Sequence, residues 1–145
     1  SIGEVTQMFE KLEDLKSLAK NTNIQGKPAN SDPEVRRTIA RFETKIAAMK
    51  YNGLRYLTKQ IKGEPLTSET SVNKLHRASL EIGMDDFAVE LTGQAGLQLD
   101  GGNEAIDGGS WAKSALNWPN VVIGGGTPNI QKNIIAERIL GQPKD

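Results

Sequence analysis

From Ile2 to Lys20 the residues Val5, Met8, Phe9, Leu12, Leu15 and Leu18 recur at steps of three and four, with Glu4, Glu10, Lys11, Asp14 and Lys16 between them. That spacing predicts an amphipathic helix. Asn21 to Asn30 is rich in Asn, Gly, Pro and Thr and reads as a loop, after which Ser31-Asp32-Pro33-Glu34 supplies a cap, a first-turn proline and a capping-box acid. The second helix is expected to run to about Lys62, because Val35, Ile39, Phe42, Ile46, Met49, Gly53 and Tyr56 step four and three without a break. A helix of roughly 30 residues spans about 45 Å and needs equally long neighbours to cover its stripe. Gly53, on that stripe, is read as a point of close backbone approach.

Gly63-Glu64-Pro65 interrupts the pattern, and a third helix is expected from near Ser68 or Thr70. It carries one apolar stripe through Val72, Leu75, Ile82 and Val89 and another through Leu80, Met84, Phe87 and Leu91, so it should be contacted on two sides. Gln94 to Gly109 shows little periodicity and reads as a long glycine-rich loop. Trp111 to Trp118 forms a short apolar helix or turn, and Pro119 to Ile123 leads into Gly124, Gly125 and Gly126. A final helix follows, with Thr127 as N-cap, Pro128 at the first helical position and Gly141 with Pro143 as the stop. The fold predicted is all-α, an antiparallel up-and-down four-helix bundle forming one domain over residues 1–145.

Composition narrows the classes of function. Eighteen acids balance eighteen bases, leaving no field that favours nucleic acid or an anionic membrane. There is no cysteine, which removes thiolate metal sites and disulfides and is compatible with a cytoplasmic location. No apolar run reaches the roughly 18 residues of a membrane span. The chain starts at Ser1 with no initiator methionine and passes straight into a helical pattern, which fits an excised piece of a longer protein, removal of an initiator methionine being the alternative.

Several residues invite chemical readings that their surroundings do not support. His76 stands without a second histidine or a neighbouring nucleophile and reads as a helix-surface residue. Asp100, Glu104 and Asp107 lack the spacing of a calcium loop, so no metal site is expected. Trp111 and Trp118 are read as core anchors, and Gly101-Gly102-Asn103 lacks the lysine and strand of a phosphate loop.

The order Gly125-Gly126-Thr127-Pro128-Asn129-Ile130-Gln131-Lys132-Asn133-Ile134-Ile135-Ala136-Glu137-Arg138-Ile139-Leu140-Gly141-Gln142-Pro143 resembles the C-terminal end of the acyl-CoA dehydrogenase family. Further segments resemble the same family in the same order: Asp32-Pro33-Glu34-Val35-Arg36, Leu54-Arg55, Gly63-Glu64, Ser71-Val72-Asn73-Lys74-Leu75, and Val89-Glu90-Leu91-Thr92-Gly93-Gln94-Ala95-Gly96. The resemblance implies FAD as cofactor, an acyl-CoA thioester as substrate, an electron-transfer flavoprotein as acceptor, and a homo- or hetero-oligomer. It implies Thr127 and Asn129 as FAD contacts after the glycine hinge, and Glu90, Gly93 and Gly96 on a loop near the FAD of a neighbouring subunit. Glu90 departs from the glutamine usual there.

In many members a glutamate directly before Gly-Thr takes the α-proton of the thioester. Gly125 occupies that position here and cannot accept a proton, so no catalytic residue is assigned in this chain. Two alternatives follow: the base belongs to another part of a longer enzyme, or the chain is a non-catalytic subunit paired with a catalytic one. A helical adaptor without flavin is the third reading.

Overall fold

The computed structural model describes residues 2–66 and 68–144. Three long helices, α1 (Ile2–Asn21), α2 (Pro33–Ile61) and α3 (Thr70–Thr92), are followed by the short helices α4 (Ser110–Leu116), α5 (Trp118–Ile123) and α6 (Pro128–Ile134). Side-chain contacts give the directions. Glu4 and Lys11 of α1 meet Arg77 and Asp85 of α3 in ascending order, so these two helices run parallel. Phe42, Asn52 and Tyr56 of α2 meet Phe87, Asn73 and Glu69 in descending order, so α2 is antiparallel to α3. Ser114 meets Asp85 and Val121 meets Lys74, which makes α4 and α5 together the fourth, antiparallel leg. The result is the expected all-α up-and-down bundle with its fourth leg broken at Asn117.

The core forms where α1, the first half of α2 and the middle of α3 converge. Leu12, Leu15, Ile46 and Met84 are fully enclosed there, with Leu80, Met49 and Met8 nearly so. Phe42 and Phe87 meet edge to face, ring centroids 6.0 Å apart. Of the two stripes on α3, Leu80 and Met84 face this core, while Val72, Leu75, Ile82 and Val89 are only half-buried.

Local signals hold at most boundaries. Asp32 caps α2, its carboxylate accepting from the backbone N–H of Glu34 at 2.8 Å and of Val35 at 3.2 Å, with Pro33 at the first helical position. Glu34 sits only two residues past that cap, one short of the capping-box position, and pairs with Arg37 instead. Gly141, at φ +67°, closes the last helix after its final turn, Ile135–Ile139, widens so that Leu140 N–H bonds to the Ile135 carbonyl at 3.0 Å.

Four expectations need correction. The expected loop before α2 holds a two-residue hairpin, Asn23–Ile24 against Lys27–Pro28, turning on Gln25 and Gly26 with positive φ at both. Gln is not a usual residue for such a turn, which is why the pattern did not reveal it. Gly53 is not a close approach, since a Cβ there would meet nothing within 4 Å. Asn52 and Asn73 bridge α2 and α3 beside it through their side chains at 3.3 Å and hold the backbones apart. The close glycine is Gly83, whose Cβ would lie 3.3 Å from the Phe42 ring. Pro119 to Ile123 is helical, within α5, and Trp118 at its start is 53% exposed, so only Trp111 anchors the core.

Candidate functional site

The predicted residues fall into two groups at opposite ends of α3. At its N-terminal end lies the hinge of Gly124, Gly125 and Gly126 with the start of α6. Thr127 is half-buried and its hydroxyl oxygen accepts from the Ile130 N–H at 3.4 Å, while Asn129 is exposed. Gln131, one of the few buried polar side chains among the described residues, donates through Nε2 to the Gly125 carbonyl at 2.7 Å. This bond pins the hinge. Gly126, at φ +98°, leaves room for it, because a Cβ there would come within 2.8 Å of that same Nε2.

Gly125, at φ +72°, borders a cavity of about 350 Å³ shared with Glu4, Tyr56, Ser71, Lys74 and Gln131. A Cβ on Gly125 would touch Lys74 Cε at 3.4 Å. Lys74 in turn donates to the Val121 carbonyl at 2.9 Å, which ties α5 to α3. Tyr56 donates its phenol to the Glu69 carbonyl at 2.6 Å. Burial, and after it the nearby Glu69 carboxylate, pushes the Tyr56 phenol above its ordinary pKa.

The second group sits at the other end. Glu90 is exposed on the last turn of α3, and Gly93, at φ +60°, caps that helix by donating to the carbonyls of Val89 and Glu90. Gly96 is buried in the following turn, Gly93–Leu97, where the Thr92 hydroxyl fills the place a side chain would need. Lys74 and Gly93 are separated along α3 by about 28 Å at 1.5 Å per residue. Within one chain, then, Thr127 and Asn129 are not brought together with Glu90, Gly93 and Gly96.

One polar centre escaped the sequence reading. Lys11 Nζ lies 2.6 Å from Asp85 Oδ1, and Ser114 bridges them, accepting from Lys11 at 2.9 Å and donating to Asp85 Oδ2 at 2.8 Å. The side chain of Asp85 is only 4% exposed and that of Lys11 17%. Trp111 covers the cluster, its centroid 5.9 Å from Lys11 Nζ, and donates its indole N–H to Asp107 at 3.0 Å. These residues line a cavity of about 430 Å³. The signal was present in the register: Lys11 falls on the face of Met8 and Leu15, and Asp85 on that of Ala78 and Ala88. Because Lys11 already donates to both Asp85 and Ser114, the cluster ties α1, α3 and α4 together as a structural joint.

The geometry defines a helical bundle with a glycine hinge at one end and a glycine-capped turn at the other. The sequence profile of the acyl-CoA dehydrogenase C-terminal domain matches residues 1–140. The chain belongs to the acyl-CoA dehydrogenase family, matching its C-terminal domain. It is 31% identical over all of its 145 residues to acyl-CoA dehydrogenase IpdE1 of Mycolicibacterium smegmatis and 28% identical to IpdE1 of Mycobacterium tuberculosis. It spans about a third of the length of these curated relatives, 33% and 35% respectively.

The fold recurs in solved structures. The ChsE4-ChsE5 complex from Mycobacterium tuberculosis superposes with a TM-score of 0.80 at 22% identity, over 95% of this chain and 36% of that one. The Tcur3481-Tcur3483 steroid ACAD gives 0.80 at 20%, over 97% and 35%. The FAD complex of PigA gives 0.76 at 22%, over 95% and 34%. Among the described residues no helix is long and apolar enough to cross a membrane.

Proposed function

We propose that this chain serves as the C-terminal domain of an FAD-dependent enzyme that introduces an α,β double bond into acyl-CoA thioesters and passes the electrons to an electron-transfer flavoprotein. The single observation that carries the domain's role is the separation of its two glycine-bearing ends along α3. With its two ends so far apart along α3, the chain can lend one end to its own FAD and the other to the FAD of a neighbouring subunit. Thr127 and Asn129 contribute polar groups at the start of α6 to one cofactor. Glu90, Gly93 and Gly96 contribute the turn that closes α3 to another, Glu90 and Gly93 from its exposed side and Gly96 from beneath. FAD, when bound, supplies the hydride acceptor, and this chain's residues hold and orient its polar parts.

The fit is supported by the donor chemistry at the hinge. The Thr127 hydroxyl accepts from Ile130 and keeps its own proton for a further acceptor. Gln131 fixes the backbone one residue before the Gly126–Thr127 pair, so these groups start from a defined position. Gly125 offers no carboxylate, and the α-proton is therefore taken by a base from elsewhere in a longer chain.

A second reading is favoured by the same Gly125: the chain is part of a non-catalytic subunit whose partner carries the base. The two-component names of ChsE4-ChsE5 and Tcur3481-Tcur3483 among its structural neighbours lend that reading support. The test is anaerobic titration of the intact longer protein, purified alone, with a panel of acyl-CoA thioesters while the flavin absorbance is followed. Bleaching is expected if the base lies in the same chain. Bound flavin that bleaches only after a second dehydrogenase chain is added selects the partnered subunit, and a protein that never retains FAD overturns both.

A further inference from the structure

We infer that the chain pairs with a second copy of itself, the basic end of α2 on one copy docking against the acidic turns that follow α3 on the other. Eighteen acids balance eighteen bases over the whole chain, but not along it. The 27 residues from Arg36 to Lys62 hold eight bases and one acid, and the 27 from Glu81 to Asp107 hold seven acids and no base. Where α2 and α3 run side by side, at Phe42 and Phe87, the two stretches are close enough to offset each other's fields. Beyond that contact they part. α2 runs on to Lys62, while the chain after α3 turns through Gly93–Leu97 and Ile106–Gly109 at the far end of the bundle. With its 23 residues α3 keeps these ends about 34 Å apart, several Debye lengths at physiological salt, so neither end neutralises the other within one chain.

Each end is charged and apolar together. At the basic end Lys50, Arg55 and Lys62 are exposed and outside every ion pair among the described residues; Lys59 is taken by Glu69, and Glu64 offsets one of the three remaining charges. Tyr51, Leu54 and Ile61 are exposed between them, and Tyr51, Leu54, Arg55 and Thr58 border a shallow cavity of about 440 Å³. At the acidic end Asp100 and Glu104 are exposed, outside every ion pair among the described residues, beside the exposed Leu97 and Leu99. The adjoining cavity of about 430 Å³ adds Asp14 and Asp107, while its own base, Lys11, is held by Asp85. These four acids outnumber Lys20 and Lys113, the bases outside ion pairs on α1 and α4. A surplus of cations around one apolar centre thus matches a surplus of acids around another. Because every copy carries one end of each kind, a two-fold pair sets each basic end against an acidic end and leaves none unmatched. An anionic membrane or a nucleic acid would meet the basic end alone and leave the acidic end and its leucines bare. The patches are small beside a permanent interface, so the association is weak and salt-sensitive. Tyr56, near the basic end, lines the cavity beside Gly125, so docking also seats the Gly93–Leu97 turn of one copy near the hinge of the other. The contact extends the two-subunit reading given above but rests on charge and apolar exposure, so it can hold where the flavin reading fails.

The test is sedimentation equilibrium of the chain over a concentration series. A monomer–dimer equilibrium is expected at about 0.05 M sodium chloride, weakened about tenfold or more at about 0.5 M. Arg55→Glu with Lys62→Glu makes both ends acidic, and Asp100→Lys with Glu104→Lys makes both ends basic; each double variant alone should lose about tenfold or more in affinity. Mixing the two variants restores complementary ends and should return association to within about threefold of the wild-type chain. All four residues are exposed, so the variants keep the fold, which circular dichroism checks. In amide NMR spectra, the signals that broaden on association should cluster in residues 50–62 and 97–107, in the wild type and in the mixture alike. A dimer that resists both salt and charge reversal, broadening elsewhere in the chain, or a mixture that fails to associate would overturn the proposal. So would a chain that stays monomeric at low salt; if that monomer binds phosphatidylserine vesicles and loses them with Arg55→Glu and Lys62→Glu, the basic end belongs to an anionic surface instead.

Discussion

The two halves of α2 carry the same kind of apolar spacing and meet opposite fates. In the first half Val35, Ile39, Phe42, Ile46 and Met49 are all buried between α1 and α3. In the second half Tyr51, Leu54, Leu57 and Ile61 are exposed, Ile61 to 78%, and the links onward are polar, Asn52 to Asn73 of α3 and Tyr56 and Lys59 to Glu69 just before it. The reason is length. α2 has 29 residues against 20 in α1, so its last turns run past the partner that covers the first ones. Periodicity measures which side of a helix is apolar, while coverage depends on how far its neighbours extend. The second half is held to α3 by polar contacts, and its stability should respond to charge and pH where that of the first half responds to volume.

The strongest perturbation of this contrast acts through the joint that clamps the covered half. Asp85→Ala leaves Lys11 desolvated without its acid and is expected to cost about 3–5 kcal/mol. Urea unfolding followed by circular dichroism measures it. Replacing both partners, Lys11→Met with Asp85→Leu, should recover most of that loss, and equal losses in the single and double variants would show that the joint is not an ion pair in solution.

The next test sets matched substitutions in the two halves of α2 against each other. Ile46→Ala removes a fully buried side chain and should cost about 3 kcal/mol, whereas Ile61→Ala should stay within about 0.5 kcal/mol. Comparable midpoints for the two in the same denaturation experiment would mean that the far end of α2 is covered in solution.

The smallest effect belongs to the polar contact that ties down the second half. Tyr56→Phe removes the hydrogen bond to Glu69 and should cost about 1 kcal/mol. Because burial raises the Tyr56 phenol pKa in the folded chain above its unfolded value, the neutral phenol contributes stability that is complete below about pH 10 and is lost as pH rises through the folded value. The stability difference between wild type and Tyr56→Phe should therefore shrink above about pH 10 in denaturation curves taken across that range. A constant difference would show that the phenol does not ionise differently in the two states.

Much of the fold was legible beforehand because it is local. The apolar spacing of α1 and α2, the Asp32-Pro33 start, the Thr127-Pro128 start and the stop at Gly141 each concern groups within a turn or two of one another, and each is found where the residues place it. The hinge could be read for the same reason, since Gly124 to Thr127 is a contiguous motif. The hairpin at Gln25 was hidden by a residue that seldom accepts positive φ.

Properties that join distant parts of the chain lay beyond any local pattern. Lys11 and Asp85 each occupy a buried register, but their pairing through Ser114 exists only because three helices converge. Gly83 rather than Gly53 carries the close packing because Phe42 points at it across the α2–α3 contact. Lys74 lies beside Gly125 only after α5 folds back along α3. Capping and amphipathicity act between residues a turn apart, so the helices, their caps and the family they mark were already written in the order of the residues. Burial and Coulomb interactions depend on distances in space. Which apolar stripes are covered, which charges meet and how far apart the two glycine-bearing ends lie therefore emerge only once the chain has folded.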